Sequence, residues 1–190
     1  QINGTGVCPD CSLYVVRMIG GSSFRSLSNA EAFSRAEEDG VDVINNSWGP
    51  SLTRFFPLAE AEREVFDRIT TEGRDGKGVV LVFAAGNDFF TPATANPYAS
   101  HPGVITVSAS TRIDDFACYS NYGDVIAIAG PSRGCYEGET GISTTDYQGA
   151  EGYAAGAFTN SFGGTSAAAP VVSGVAGLVL SANPELTAQQ

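Results

Sequence analysis

Val79-Val80-Leu81-Val82-Phe83-Ala84-Ala85-Gly86-Asn87 is the stretch on which the fold turns. Its apolar residues are consecutive rather than alternating, and the run is closed by Gly-Asn. That is how a short parallel strand covered on both faces reads. Outward from it, residues 13–19, 41–47, 104–109 and 125–129 have the same character: brief, rich in Val and Ile, and bounded by turn residues. Segments of helical period lie between several of them. Across residues 57–74, Leu58, Ala61, Val65 and Ile69 mark one apolar stripe, while Glu60, Glu62, Arg63, Asp67 and Arg68 fill the other faces. Asn29 is placed to cap a shorter helix through residues 31–38, ended by Asp39-Gly40. Strands alternating with helices predict an α/β fold with a mostly parallel sheet, in which ligands gather beyond the carboxyl ends of the strands.

Composition narrows the chemistry. The chain has 190 residues, 43% hydrophobic and 16% charged, a globular balance of about one domain. Ten Lys plus Arg against 21 Asp plus Glu leave a net charge of −11. Without a basic stripe, nucleic acid and anionic membrane surfaces are poor candidate partners, and neither is expected. No apolar run is expected to reach the roughly 18 residues of a membrane span. The opening residues, Gln1-Ile2-Asn3-Gly4-Thr5-Gly6, carry no initiator Met, basic leader or signal core, and read as a mature or excised piece. A single histidine, His101, means that any imidazole base is either that residue or comes from outside the chain. Four cysteines fall as two local pairs, Cys8 with Cys11 and Cys118 with Cys135. An even count suits two disulfides in an oxidising compartment, although four cysteines allow three pairings. Cys8-Pro9-Asp10-Cys11 also fits half a zinc site or a redox dithiol, but no second Cys/His pair at ligand spacing follows.

Residues 130–160, rich in Gly, Ser, Thr, Tyr and Ala, read as irregular structure with short antiparallel pieces. They lead into Phe162-Gly163-Gly164-Thr165-Ser166-Ala167-Ala168-Ala169-Pro170, followed by small and apolar residues to Ala182 that suit a buried helix. The glycines supply a tight turn and Thr165 is a good cap, which places Ser166 in the helix's first turn. Free amides and the positive end of the dipole there can stabilise an oxyanion beside the serine oxygen. Pro170, four residues on, cannot donate to the Ser166 carbonyl, so the helix is expected to be perturbed at Ser166 itself. The plain alternative is a capped core helix with a bystander serine.

The run from Gly163 to Pro170 resembles the nucleophile signature of the subtilisin-like serine proteases, the subtilases, in which Gly-Thr-Ser-x-Ala-x-Pro opens a long helix. Asp42-Val43-Ile44-Asn45-Asn46-Ser47-Trp48-Gly49 and the 79–87 block match in the right order. The resemblance covers essentially the whole chain, and Asn46-Ser47-Trp48-Gly49-Pro50 with Phe162-Gly163-Gly164 is closest to the kexin-like branch. It implies a three-layer α/β fold of subtilisin type, incomplete at its amino-terminal side, with residues 1–190 forming part of one catalytic domain. It implies Ser166 as nucleophile and the Asn87 amide, with the Ser166 backbone NH, as oxyanion donors. Ser47, Trp48 and Gly49 would pair with an extended substrate backbone, and Ala84, Ala85 and Gly86 would wall the primary specificity pocket. The bland alternatives are a turn asparagine at Asn87 and a core aromatic at Trp48.

A serine nucleophile needs a base and an acid to orient it. In the family these are an Asp closing an early strand and a His in a His-Gly-Thr motif, and neither pattern occurs here. His101 precedes Ser166 but falls in a loop where the family places no catalytic group, and is expected on the surface. Asp42, Asp114 and Asp115 read as strand-end or turn residues. The family's Asp-bearing strand lies between those matched by residues 13–19 and 41–47. An upstream segment or another chain is therefore expected to supply that strand, the Asp and the His. Direct pairing of 13–19 with 41–47 would refute this. Asn183-Pro184 normally introduces a further helix in the family, so the end also looks clipped.

Kexins select basic side chains through acids after the Ser-Trp-Gly-Pro block and after the oxyanion asparagine. Here Ser51-Leu52-Thr53-Arg54-Phe55-Phe56 and Asp88-Phe89-Phe90-Thr91-Pro92 stand at those places, and of these only Asp88 is acidic. An apolar or broad preference is expected. Residues 3–7 sit where many subtilases carry a calcium loop of backbone carbonyls, so the resemblance implies a structural calcium ion there and no cofactor for the chemistry. The leading expectation is an extracellular serine endopeptidase acting on peptide or protein substrates, inactive as this chain alone. The alternative is a subtilase-like pseudoprotease or peptide-binding module. An α/β-hydrolase is excluded, because its Asp and His follow the serine and no histidine follows Ser166.

Overall fold

The computed structural model describes residues 4–18, 28–50, 57–136 and 138–190. In chain order the elements are α1 (Asn29–Glu38), β1 (Val43–Asn46), α2 (Glu60–Ile69), a single turn α3 (Gly73–Gly76), β2 (Val80–Ala84), β3 (Val104–Ser110), β4 (Ile126–Pro131), β5 (Ile142–Thr145), β6 (Phe158–Phe162) and α4 (Thr165–Ala182). Strands β1–β2–β3–β4 form a wholly parallel sheet in that order, with Ile44 opposite Leu81 and Val82 opposite Ile105. β5 and β6 make a separate antiparallel pair within the Gly-rich region. The helix cap at Ser28, one residue before the expected Asn29, is a full capping box with Glu31. Asn29 is left to bond Glu62 and Tyr98 across the helix pair.

The continuous apolar character of 79–85 is explained by what covers each face. Val79, Leu81 and Phe83 point into a cluster with Phe33, Phe66, Ile69 and Tyr98, the α1/α2 side. Val80, Val82 and Ala84 point the other way, onto Ala168, Ala169 and Leu180 of α4. This is a three-layer α/β fold. α4 is 18 residues long without a charged side chain, longer than the apolar runs legible in the sequence, and by length and composition it could cross a membrane. It lies across the sheet in contact with all four strands, as the core helix of a folded domain does. Only one face is covered, however. Val175, Leu178 and Val179 are nearly half exposed, so the expectation of a buried helix holds for its first turns and not for its outer face.

The strand expected at 13–19 does not form. Residues 13–18 belong to no sheet, Leu13 and Val15 are exposed, and Ile19 lies outside the described residues. β1 pairs with β2 alone among the described residues. A buried parallel strand needs a ladder partner and cover on both faces, and no described residue offers residues 13–18 either. Both disulfides are the local pairs, Cys8–Cys11 and Cys118–Cys135. The Cys8–Cys11 loop rests on Gly174 and Gly177 of α4, where a Cβ would meet Val7 and the sulfurs. The chain beyond Asn183 makes turns rather than a helix. Buried Arg74 holds it by donating to the carbonyls of Pro184 and Leu186 while pairing with Asp42.

Candidate active site

The carboxyl ends of β1 and β2 and the amino end of α4 meet at one cavity of about 200 Å³. Ser47, Trp48, Gly49, Ala84, Ala85, Gly86, Asn87 and Ser166 all line it, together with Pro50, Asp88, Asn96 and Thr165. The candidate residues of three separated sequence blocks are thus brought to one place.

Ser166 lies in the first turn of α4, where a helix provides no acceptor for its own amides. The helix is not capped by Thr165 as expected. Gly164 is the N-cap, at φ 84°, and Thr165 is buried as the first helical residue. The cap comes from the sheet: Asn87 Oδ1 accepts from the Thr165 backbone NH at 2.8 Å and from the Thr165 hydroxyl at 2.9 Å. That hydroxyl in turn accepts from the Gly86 NH at 3.1 Å. A Cβ on Gly164 would stand 3.1 Å from Asn87 Nδ2, so glycine is needed there for space as well as for its left-handed φ. With both bonds to Oδ1 made, the amide's orientation is set, and Nδ2 has no acceptor among the described residues. An amide so held is a preorganised donor beside the serine.

Pro170 has the predicted effect, with a compensation that sequence did not reveal. The Ser166 carbonyl, deprived of its helical donor, accepts from Ser47 Oγ at 2.9 Å. Ser166 Oγ donates to the Ser47 carbonyl at 3.1 Å. The two serines are linked reciprocally, and the Ser47 hydroxyl is itself steadied by Asn45 Nδ2 at 3.1 Å.

Several supports were missed in sequence because they come from distant, unremarkable positions. Asn121, fully buried, donates to the Ala85 carbonyl and to Asp88 Oδ2, each at 3.0 Å, and accepts from the Asp88 NH at 2.9 Å. It thereby fixes the turn that carries Asn87. Tyr119 accepts from the Gly164 NH at 3.1 Å, and Ser132 donates to the Gly164 carbonyl at 2.8 Å. A polar residue after a turn signals nothing by itself; only the crossover of the sheet brings these groups to one loop. Phe89 and Phe90, just past Asp88, take left-handed φ of 42° and 58°, an uncommon conformation for bulky residues.

Trp48 serves as core aromatic and cavity wall at once, with ring centroids 5.2 Å from Tyr98 and 5.5 Å from Phe83. Below it, burial and the Glu62 carboxylate push the Tyr98 phenol up to about 12. His101 is not a surface residue: its side chain is 7% exposed and packs edge-on against Phe66. Its Nδ1 accepts from the Gly103 NH and its Nε2 faces Asp67, so neither nitrogen is directed at Ser166. The loop in which it sits is anchored inward by Phe66, which composition alone could not show.

Among the described residues no three His, Cys, Asp or Glu side chains gather to hold a metal. Of the expected calcium loop, Asn3 lies outside the described residues, as do the 51–56 positions where the kexin acids would stand.

Comparison with known proteins agrees with this geometry. The chain is 37% identical over 207 residues to a protein named calcium-dependent protease from Nostoc sp., spanning 98% of this chain and 31% of that relative. It is 31% identical over 192 residues to protease KEX1 of Kluyveromyces lactis, spanning 98% of this chain and 24% of the relative. Among solved structures, the serine protease of Aeromonas sobria superposes with a TM-score of 0.67 at 23% identity, over 78% of this chain and 32% of that one, a likeness of fold. The chain spans about a third or less of the length of these relatives. The subtilase family matches residues 1–190, and the chain belongs to that family.

Proposed function

We propose that this chain is the nucleophile- and oxyanion-bearing part of a serine endopeptidase catalytic domain. The observation that carries the proposal is the locked Asn87 amide, with Oδ1 engaged by Thr165 and Nδ2 unoccupied, beside Ser166 in the first turn of α4. In this reaction Ser166 Oγ attacks the peptide carbonyl carbon, and a base takes its proton and delivers it to the leaving amine as the C–N bond breaks. The oxyanion is held by Asn87 Nδ2 and the Ser166 NH, and water then hydrolyses the acyl-enzyme. Base and orienting acid come from an upstream segment of the same protein or from another chain, since His101 faces Asp67 and Gly103. The described residues alone are expected to show no meaningful turnover. Ser47, Trp48 and Gly49 form the edge for an extended substrate, and Ala84, Ala85 and Gly86 wall the pocket for the residue preceding the cut.

Two disulfides support an extracellular or secretory location. A structural calcium ion in the 3–7 loop rests on the name of the Nostoc relative, and EGTA dialysis that leaves the unfolding midpoint unchanged would remove it. The test of function is labelling of the full-length protein by a fluorophosphonate probe. Adduct at Ser166, abolished by Ser166→Ala, supports the protease; a folded protein without adduct supports the pseudoprotease or peptide-binding module instead.

A further inference from the structure

We propose that Asn96 makes the cavity selective for a neutral carboxamide side chain, glutamine, at the residue preceding the cut. This deepens the proposed function and rests on the assignment of that cavity as the specificity pocket.

Asn96 is 4% exposed and lines the cavity, yet only half of its amide is used. Oδ1 accepts from the backbone NH of Tyr98 at 3.1 Å and of Ala99 at 3.4 Å, which fixes which end of the amide faces away. Nδ2 has no acceptor among the described residues. It stands 2.8 Å from the point a Cβ on Gly49 would occupy, so the missing side chain of Gly49 is what leaves the amide open to the cavity. Among the described residues no side-chain nitrogen or oxygen sealed from solvent lacks a partner, so Nδ2 is reached through the cavity itself.

A donor that faces the cavity with no protein acceptor favours a guest that brings one, because filling the pocket with an apolar group would displace solvent from it and strand it. Asp88 lines the same cavity, with Oδ2 engaged by Asn121. Its carboxylate, in a chain of net charge −11, disfavours a second carboxylate such as glutamate. A carboxamide satisfies both groups, its oxygen accepting from Asn96 and its NH₂ donating towards Asp88. Methionine has similar length and shape without either group.

The experiment uses the full-length protein and peptides differing only at that residue: Gln, Met, Glu or Arg. We expect kcat/KM for Gln to exceed that for Met about five- to tenfold, the worth of one net hydrogen bond. Asn96→Asp keeps the acceptor for Tyr98 and Ala99 but turns a carboxylate into the cavity; the Gln/Met ratio should fall to about one and Arg should gain about tenfold relative to Gln. Gly49→Ala, which crowds Nδ2, should erase the Gln/Met ratio by a separate route. Gln and Met cleaved within twofold of each other, or Arg or Glu preferred by the unaltered protein, overturns the proposal. Calorimetry with product peptides ending in Gln or Met reads the same preference without turnover. Binding that favours Gln without cleavage overturns the catalytic role and supports the pocket assignment. Cleavage without discrimination overturns the pocket assignment alone, and neither binding nor cleavage overturns both.

Discussion

Replacing Ser47 by alanine removes the hydroxyl that donates to the Ser166 carbonyl at 2.9 Å, and its cost should depend on a residue four positions further along the helix. In an ordinary helix the Ser166 carbonyl would accept from the NH of residue 170, but that residue is Pro170 and has none. Ser47→Ala therefore leaves a partly buried acceptor without its partner, a loss of about 1–2 kcal/mol. Pro170→Ala supplies the missing NH, and because Pro170 is exposed the change removes little packing. In that background Ser47→Ala should cost less than about 0.5 kcal/mol, giving a coupling near 1 kcal/mol for two residues in one hydrogen-bond network. Urea unfolding of the four proteins, followed through Trp48, the single tryptophan of these 190 residues, measures the cycle. If Ser47→Ala costs the same in both backgrounds within about 0.3 kcal/mol, the serine is not replacing the helical donor and the account of the perturbed first turn is wrong.

Three further outcomes follow from the geometry. On the proposed function, Asn87→Ala should lower kcat of the full-length protein about a hundred- to a thousandfold, and should also destabilise the protein by about 1 kcal/mol because Asn87 caps α4; an unchanged kcat would remove it from the oxyanion site. The Tyr98 phenol, raised to about 12 by burial and Glu62, stays protonated in the folded state after it ionises in the unfolded one. Its contribution is fully present below pH 10 and lost as pH climbs towards 12, so Tyr98→Phe should flatten the fall in stability over that interval. Opening Cys118–Cys135, which spans 17 residues, should cost about 3 kcal/mol, and opening Cys8–Cys11, which spans three, less; chemical denaturation of Cys→Ser pairs reads both.

The parallel strands β2 and β3 were legible because burial on both faces leaves a continuous apolar run, and α2 because an amphipathic helix repeats its stripe; β1 and β4 carry the same kind of run although β4 is largely exposed. The run at 13–19 was equally legible as a strand, and its described residues, 13–18, did not form one. Strand propensity is local, whereas a ladder needs a neighbour, and β1 has only β2 beside it among the described residues. The outer face of α4 is similar: its apolar residues announce a covered helix, and the cover depends on what packs there.

By itself, the sequence determined the class of the fold, the family, and eight of the residues that line the cavity, because each depends on periodicity or on a motif contiguous in the chain. Only the tertiary structure decided how those residues are held. Asn87 rather than Thr165 caps α4, Ser47 stands in for the donor that Pro170 lacks, Asn121 anchors the strand-end turn, and Asn96 turns a free amide towards Gly49. The first three are hydrogen bonds between positions distant in sequence, and the fourth is a close approach of Asn96 Nδ2 to Gly49. The first depends on the sheet crossover that sets the end of one strand against the start of a helix some eighty residues later, a juxtaposition with no local trace in the chain.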